Sequence, residues 1–312
     1  MSDSIERART FSEMRLSDLR GSISSVVPAE CMVLTCGSFA RREASPSSDL
    51  DYSIIAAEEH AGPWVETVKA KFAEVVAVAP ASGGAFAGVE APARMVTNVG
   101  GENDTNRNIT HRMLFLLEGE WIFNKAGLRG LRRQILERYI AETMTDHQLA
   151  LFLLNDIIRY YRTMAVDYEF KTSEAESPKP WGIRNIKLVF SRKLLYTSGL
   201  FSVALTADRD WCAKIAILEG LFDLPVIDRM VEICGRSRMR AVLQSYAVFL
   251  DKMEDSGVRA RLKGLKPDDR DDRKDPVFRA LKNEGHKFTR ELLKLFETTF
   301  DSTHPIRRAV IF

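Results

Sequence analysis

The sequence predicts an α+β fold, with a small mixed β-sheet and flanking helices first and an all-α helical bundle after it. Residues 31–36 and 49–57 have the length and apolar content of buried strands, and a polar segment rich in turn residues separates them. From about residue 120 onward, only helical patterns are found. We therefore expect two domains, residues 1–119 with the sheet and residues 120–312 with helices only.

Helices flank the two predicted strands. Residues 4–20 carry an imperfect apolar face, and Gly21 follows them as a signal for a helix end. Residues 38–43 begin a short helix between the strands, and residues 62–76 form a longer one that a Gly-Pro pair opens. The predicted order is therefore strand, turn and short helix, strand, helix.

The second part of the chain is interpreted as a helical bundle. Residues 146–169 are apolar on nearly all sides, which indicates a buried helix. The next helix covers residues 182–199 and ends at Gly199, and further helices are expected within 211–252 and at about 276–299. These helices complete the bundle that follows the sheet.

Bulk composition limits the class of protein. The chain has 312 residues, of which 45% are hydrophobic, so it can bury a substantial core. Its 45 basic and 43 acidic residues leave a formal net charge of +2, which lacks the polycationic signature of a nucleic-acid binder. Its four cysteines contain no C-x-x-C pair, which argues against a zinc site and against a disulfide framework.

Membrane and export signals are not found in the sequence. No apolar run reaches the ~18 residues that a membrane span needs. The first residues, MSDSIERARTFSEMR, are charged and lack the apolar stretch of a signal peptide. We therefore expect a soluble, cytoplasmic protein without a membrane partner.

The most informative segment is CGSFARREASPSSDLDYSII, from Cys36 to Ile55. Asp49 and Asp51 lie two positions apart on a predicted strand, so their carboxylates project from the same face. Two acids aimed at one point repel each other and resist desolvation, and a bound divalent cation is the usual way to stabilise them. The pair therefore predicts a site for Mg²⁺ or Mn²⁺.

The pair Gly37-Ser38 predicts a phosphate-binding turn. Glycine lets the backbone approach a phosphate closely, and serine adds a hydroxyl donor. A helix that starts at about Ser38 would present free N–H groups and its positive dipole end to the same anion. Arg41 and Arg42 lie one turn further on, where they could neutralise phosphate charge.

This segment resembles the polymerase-beta-like nucleotidyltransferase superfamily, whose signature is Gly-Ser, a spacer and Asp-x-Asp. It is most similar to the bacterial nucleotidyltransferases related to the protein-PII uridylyltransferase, which carry Gly-Ser, Arg-x-Glu and Ser-Asp-x-Asp in this order. The specific match is confined to this segment, and a weaker resemblance runs through the rest of the chain. The matching positions are Gly37, Ser38, Arg41 with Glu43 (or Arg42 with Glu43 in a shifted alignment), Ser48, Asp49 and Asp51.

A purely structural interpretation of the acidic segment also exists. Serine and aspartate favour helix N-caps and turns, so SSDLD is compatible with either. The residues on both sides of it have the pattern of buried strands rather than that of an amphipathic helix. This pattern favours the catalytic interpretation.

The resemblance implies a third carboxylate, which in the superfamily usually comes from a strand after the second helix. Asp104, in the glycine-rich GGENDTN, is the preferred candidate, and Glu90 is the second. A plain turn explains GGENDTN equally well. Together with Asp49 and Asp51, Asp104 would hold two Mg²⁺ or Mn²⁺ ions.

The resemblance also implies triphosphate ligands in the helical domain, where such proteins often use Lys, Ser or Tyr from a helix. Lys187 and Ser191 lie four residues apart on one predicted helix face, and the neighbouring Arg192 is expected to be exposed. Arg159 and Arg162 interrupt an apolar helix. Their guanidinium groups either bind a triphosphate or form an internal salt bridge. The predicted nucleotide-binding residues are Gly37, Ser38, Arg41, Arg42, Ser48, Arg159, Arg162, Lys187 and Ser191.

The function that the resemblance implies is metal-dependent transfer of a nucleoside monophosphate, AMP or UMP, from an NTP such as ATP to an acceptor hydroxyl, with release of pyrophosphate. The acceptor, whether a protein side chain, a small molecule, a nucleotide or an RNA end, stays open, as do base preference and oligomeric state. Two alternatives remain: a non-catalytic nucleotide-binding regulator, and a nucleotide-signal synthase or RNA-modifying toxin on the same fold. The unsettled third acid keeps the regulator open.

Overall fold

The structure is a computed structural model that describes residues 3–57, 60–78, 88–97, 99–174, 178–267 and 275–311. Its strands are β1 (Met32–Cys36), β2 (Asp51–Ile55), β3 (Val89–Glu90) and β4 (Glu120–Phe123). Its helices are α1 (Asp3–Ile23), α2 (Gly37–Ala40), α3 (Trp64–Val75), α4 (Pro92–Thr97), α5 (Asn106–Glu118), α6 (Lys125–Tyr139), α7 (Leu151–Glu169), α8 (Trp181–Lys187), α9 (Lys193–Ala204), α10 (Trp211–Phe222), α11 (Val226–Cys234), α12 (Arg236–Glu254), α13 (Ser256–Gly264), α14 (Pro276–Thr299) and α15 (Ile306–Ala309). Two π-helical turns, Phe170–Glu174 and Leu188–Arg192, follow α7 and α8.

The described strands form one mixed sheet in the order β3-β2-β1-β4. β1 pairs antiparallel with β2, so that Cys36 lies opposite Asp51, and β4 pairs antiparallel with the other side of β1. β3 runs parallel to β2, with Glu90 opposite Ile55. A small mixed sheet followed by helices confirms the predicted α+β fold.

β1 and β2 differ in how deeply they enter the core. All five residues of β1 are buried, whereas β2 is buried only from Ser53 onward. Asp51 and Tyr52, the first two residues of β2, stay partly exposed. An acidic residue therefore lies where the strand emerges from the core, at the end of the sheet where β1 leads into α2.

The expectation of helices alone from about residue 120 onward is wrong for β4. Residues Glu120–Phe123 have the sequence EWIF and extend the sheet beside β1. Aromatic and β-branched residues favour strands, but four residues are too few for a period to be visible in the sequence. The boundary expected at residue 120 falls at the start of a sheet strand, and the division into two domains stays a prediction.

Two predicted helix ends are also wrong. Gly21 lies inside α1, which continues to Ile23, and Gly199 lies inside α9. A Cβ at Gly199 would come 3.0 Å from Leu117 Cδ2 and 3.2 Å from Ile157 Cγ2. This glycine therefore allows α9 to pack closely on α5 and α7 and does not end the helix.

The central helix α5 joins the sheet to the bundle. All of its residues from His111 to Glu118 are buried. The larger apolar core links α5 with β1 and the bundle helices, and a smaller core lies between α1, the sheet and α3. Helix α1 also contacts the bundle, where Ser4 Oγ donates to Ala247 O at 3.0 Å. Side chains of the bundle can therefore reach the end of the sheet.

Within the described ranges, no helix is both long enough and apolar enough to cross a bilayer.

Candidate active site

The candidate site lies where β1 ends and β2 begins. Because the two strands are antiparallel with Cys36 opposite Asp51, the turn at Gly37 lies directly beside the Asp51 carboxylate. Gly37 has a φ of +73°, and a Cβ built on it would lie 2.8 Å from Asp51 Oδ2. The backbone conformation therefore favours glycine at this position, and a side chain here would also displace the Asp51 carboxylate.

The two predicted acids, Asp49 and Asp51, lie close together and are partly exposed, but Asp49 precedes β2 and is not on the strand as predicted. Burial, and then the charge of Asp49, raise the pKa of Asp51, whereas Arg192 and Lys187 oppose this shift. The two carboxylates are thus close enough to repel each other. A cation between them would remove the repulsion, so the donor set fits a hard divalent metal ion.

The Gly-Ser turn leads into α2, and its first N–H group is already bound. Gly37 N donates to Glu118 Oε1 at 3.2 Å. Ser38 is half-buried, and its carbonyl oxygen accepts the Glu43 N–H at 2.8 Å. The Ser38 hydroxyl makes no hydrogen bond to the described residues and is available to an incoming group.

The Arg-x-Glu motif builds a buried network. Arg41 Nε donates to Glu43 Oε2 at 2.9 Å, and Arg41 Nη1 donates to Glu118. The hydroxyl of Tyr246, in α12, donates to Glu43 and is also hydrogen-bonded to Ser191. The predicted ligands Arg41 and Ser191 therefore belong to one network that holds the bundle against the turn.

Glu118 is the centre of this network. Besides Gly37 and Arg41 it binds Arg192, whose Nη1 lies 3.0 Å from Glu118 Oε1. Burial favours the neutral acid, but the charges of Arg41 and Arg192 hold the pKa of Glu118 below its usual 4.5. The expectation that Arg192 is exposed is wrong, because the side chain is only 28% exposed and is held in this ion pair.

Cationic side chains of the bundle lie close enough to Asp49 and Asp51 to interact with their charges. Burial lowers the pKa of Lys187 to about 8, although Asp49 opposes the shift. Burial and then Arg192 lower the pKa of Arg184, which lies one turn before Lys187 in α8. An anion bound at the acids through a metal ion would therefore meet positive charge from the bundle.

Arg259, in α13, holds the loop before Asp49. Its Nη2 donates to Ser47 O at 2.7 Å. The residue is only 7% exposed, and its buried Nε finds no hydrogen-bond partner among the described residues. An unpartnered donor here fits a ligand oxygen. Ser48 shapes the same loop, because its Oγ accepts the Ser45 N–H at 3.0 Å.

Asp104, the preferred third carboxylate, lies elsewhere in the core. Its two oxygens accept from Arg112 Nη2 at 2.9 and 2.7 Å, and Gly100 N donates to Asp104 Oδ2 at 2.9 Å. Across the parts of the chain that the structure describes, no three His, Cys, Asp or Glu side chains converge on a metal-sized site. The structure thus does not bring Asp104 to the acid pair.

Glu90, the second candidate, lies on β3 opposite Ile55. Ile55 is at the other end of β2 from Asp51, a separation of about 13 Å at the usual rise per strand residue. Glu90 Oε1 accepts from Arg107 Nη2 at 2.8 Å. Neither candidate joins the acid pair, and no third carboxylate is assigned within the described residues.

The remaining predicted arginines also lie apart from the acid pair. Arg42 Nε donates to Glu13 Oε1 at 2.7 Å, and its Nη1 lies 2.9 Å from Glu120 Oε2. Arg159 and Arg162 line a separate cavity of about 450 Å³ on α7. Of the described residues around that cavity, none is an acid of the pair. The nucleotide-binding role of these arginines stays a prediction.

Sequence reasoning did not assign a role to several residues that shape the site. Glu118, Tyr246 and Arg259 come from distant segments, and no local motif marks them. A role for Arg184 could have been assigned from the sequence, because it precedes Lys187 by three residues and so shares its helix face. The other three depend on how α5, α12 and α13 pack around the turn.

Comparison with known families agrees with this geometry. Residues 5–80 match the family described as Putative nucleotidyltransferase DUF294. The matched range contains the Gly-Ser turn, the Arg-x-Glu pair and both acids. No curated protein matches the chain.

Proposed function

From the assignment of this chain to the nucleotidyltransferase superfamily, which the match over residues 5–80 supports, we propose that it transfers a nucleoside monophosphate from an NTP to an acceptor hydroxyl. The observation that carries this proposal is the pair Asp49 and Asp51 beside the turn at Gly37, whose backbone conformation favours glycine. The acids suit a hard cation, and the Ser38 hydroxyl of the same turn, which makes no hydrogen bond to the described residues, suits a phosphate oxygen.

A divalent ion, Mg²⁺ or Mn²⁺, fits the two acids. Burial, and then the charge of Asp49, raise the pKa of Asp51, and a bound cation would relieve the repulsion between the two acids. Two protein carboxylates are enough for such an ion when substrate phosphates and waters supply the other oxygens. When bound, the metal would lower the pKa of the acceptor hydroxyl and stabilise the charge on pyrophosphate.

The other residues of the site would bind and orient the NTP. The Ser38 hydroxyl and Arg259 Nε, which have no hydrogen-bond partner among the described residues, would donate to phosphate oxygens, and Lys187 and Arg184 would offset the phosphate charge. The acceptor oxygen attacks the α-phosphorus, and its proton is lost to solvent. The bond from that phosphorus to the oxygen bridging it to the β-phosphate breaks, and pyrophosphate leaves with the electron pair.

The proposal is tested by incubating the protein with each of the four α-labelled NTPs and Mg²⁺ or Mn²⁺, alone and with cell extract. We expect one or more NTPs to release pyrophosphate and to leave label on an acceptor. Asp49→Asn and Asp51→Asn should each lower this activity at least about 100-fold, because each removes a charged metal ligand.

Asp18→Asn is the matched control, because Asp18 lies on the surface of α1 and pairs only with Arg15 among the described residues. It should keep wild-type activity. Full activity in the Asp49→Asn and Asp51→Asn variants would exclude this site.

A second candidate is a regulator that binds nucleotide without turnover. It is favoured by one observation, that among the described residues no third carboxylate converges with Asp49 and Asp51 on a metal-sized site. In that case NTP with Mg²⁺ would raise the melting temperature of the wild type but not of the Asp49→Asn, Asp51→Asn double variant. No pyrophosphate would be released with any NTP or extract.

A further inference from the structure

A second cavity, of about 300 Å³, is bordered by residues of α1, β4 and α6. Five basic side chains line it, Arg20, Arg42, Lys125, Arg129 and Arg132, and we call it the arginine cavity. Of the described residues in its wall, none belongs to the Gly-Ser turn or the acid pair. It is therefore separate from the candidate active site.

The acids in the wall do not balance these cations. Glu120 is shared between Arg20 Nη2, at 2.7 Å, and Arg42 Nη1, at 2.9 Å. The other acidic wall residues are Glu13 and Asp223. Three acidic and five basic side chains leave the described wall with a surplus of positive charge.

The deepest cation of the wall has a free donor. Arg132 shares Asp223 with Arg129 and is only 5% exposed. Its Nε is buried and has no hydrogen-bond partner among the described residues. Burial lowers the pKa of Arg132, although Asp223 opposes the shift. A further acceptor beside this guanidinium would satisfy the Nε donor and stabilise the charge.

Lys125 adds a further cation to the wall of the arginine cavity. Its Nζ lies 5.6 Å from the centre of the Trp121 ring, and the Arg20 guanidinium lies 3.9 Å from that centre. In the described part of the chain, no carboxylate lies within ion-pair distance of Lys125. This ammonium is therefore available to an anion in the cavity.

Arg42, another residue of the cavity wall, has an uncommon backbone conformation. Arg42 has a φ of +60°, which non-glycine residues rarely adopt and which is enriched at functional sites. Arg41 pairs with Glu118 beside the Gly-Ser turn, whereas Arg42, the next residue, lines the arginine cavity. Two consecutive arginines thus serve two different sites.

We propose that the arginine cavity binds a small phosphate-bearing anion. Guanidinium groups match the geometry of phosphate oxygens, and here they surround a space at the lower end of ligand-sized cavities, about 300–1,000 Å³. Arg132 Nε and the Lys125 ammonium, which have no hydrogen-bond or ion-pair partner in the described part of the chain, are the donors that such a ligand would satisfy. The proposal is independent of the activity proposed for the acid pair.

Isothermal titration calorimetry on the full chain, in EDTA and at constant ionic strength, tests this with inorganic phosphate, UMP and uridine. We expect phosphate and UMP to bind and uridine not to bind. The Lys125→Gln, Arg129→Gln double variant should weaken the affinity for phosphate and UMP at least about tenfold, because two charged donors are lost. Both side chains are exposed, so the variant should fold.

Arg133→Gln is the matched control, because Arg133 lies on α6 but pairs with Glu137 and Glu219 outside the cavity. It should bind like the wild type. Absence of phosphate and UMP binding, unchanged affinity in the double variant, or uridine binding as tight as that of UMP would each overturn the proposal.

Discussion

The backbone N–H of Gly37 donates to Glu118 Oε1 at 3.2 Å, across 81 positions of the chain. The same carboxylate accepts from Arg41 and Arg192. One buried acid therefore joins the Gly-Ser turn, the Arg-x-Glu motif and the helical bundle. The position of the turn relative to Asp51 depends on this acid as well as on the strand pairing.

Glu118→Gln should destabilise the protein by about 3–5 kcal/mol, because Arg41 and Arg192 would lose their shared buried counter-charge. Urea unfolding measures the change. Glu137→Gln, at a surface pair with Arg133, is the control and should alter the free energy of unfolding by no more than about 0.5 kcal/mol. Equal effects of the two substitutions would contradict a central role for Glu118.

Gly37→Ala should lower both stability and turnover. A positive φ of +73° strains any side chain, and the new Cβ would push on Asp51 Oδ2. We expect a loss of about 1–2 kcal/mol in the free energy of unfolding. Turnover should fall at least about tenfold, because the displaced carboxylate misplaces the metal.

Gly130→Ala is the control for this substitution. Gly130 lies inside α6, and apart from its chain neighbours and the adjacent helix backbone, no atom of the described residues lies within 4 Å of a Cβ built there. Because alanine favours helix over glycine, this variant should gain up to about 1 kcal/mol and keep its activity. An active and stable Gly37→Ala protein would mean that the turn tolerates a side chain.

Lys187 should control the alkaline limb of the activity profile. Burial lowers its pKa to about 8, so the ammonium is present below that pH and is lost above it. We expect kcat/KM for the NTP to fall as the pH rises through about 8. In Lys187→Arg the guanidinium stays charged, so the fall should move to higher pH.

Lys69→Arg, on the surface of α3, is the control and should keep the wild-type profile. The titration of Lys187 also makes stability depend on pH. In the unfolded chain, Lys187 keeps its proton up to its ordinary pKa of 10.5, whereas in the folded protein it loses the proton at a lower pH. The free energy of unfolding should therefore rise with pH between about 8 and 10.5 through this group. Identical activity profiles in the wild type and Lys187→Arg would exclude Lys187 as the titrating group.

The fold class and the part of the site around Gly37, Asp49 and Asp51 were predictable, because they depend on residues that are close together in the sequence. The apolar runs predict β1 and β2, and antiparallel pairing of these strands brings Gly37 to Asp51. The one-residue spacing of the acids already predicts that Asp49 and Asp51 interact. The four-residue strand β4 was not predictable, since its hydrogen-bonding partner β1 decides its conformation.

By itself, the sequence determined the α+β class, the Gly-Ser turn and the two adjacent acids, because each follows from local spacing and side-chain chemistry. Tertiary structure alone decided which charges are paired across long stretches of the chain. It assigned Asp104 to Arg112, and it brought Glu118 and Arg192 to the turn. The physical reason is that a buried charge needs counter-charges or hydrogen-bond partners, which packing supplies, and the packed helices come from distant parts of the chain.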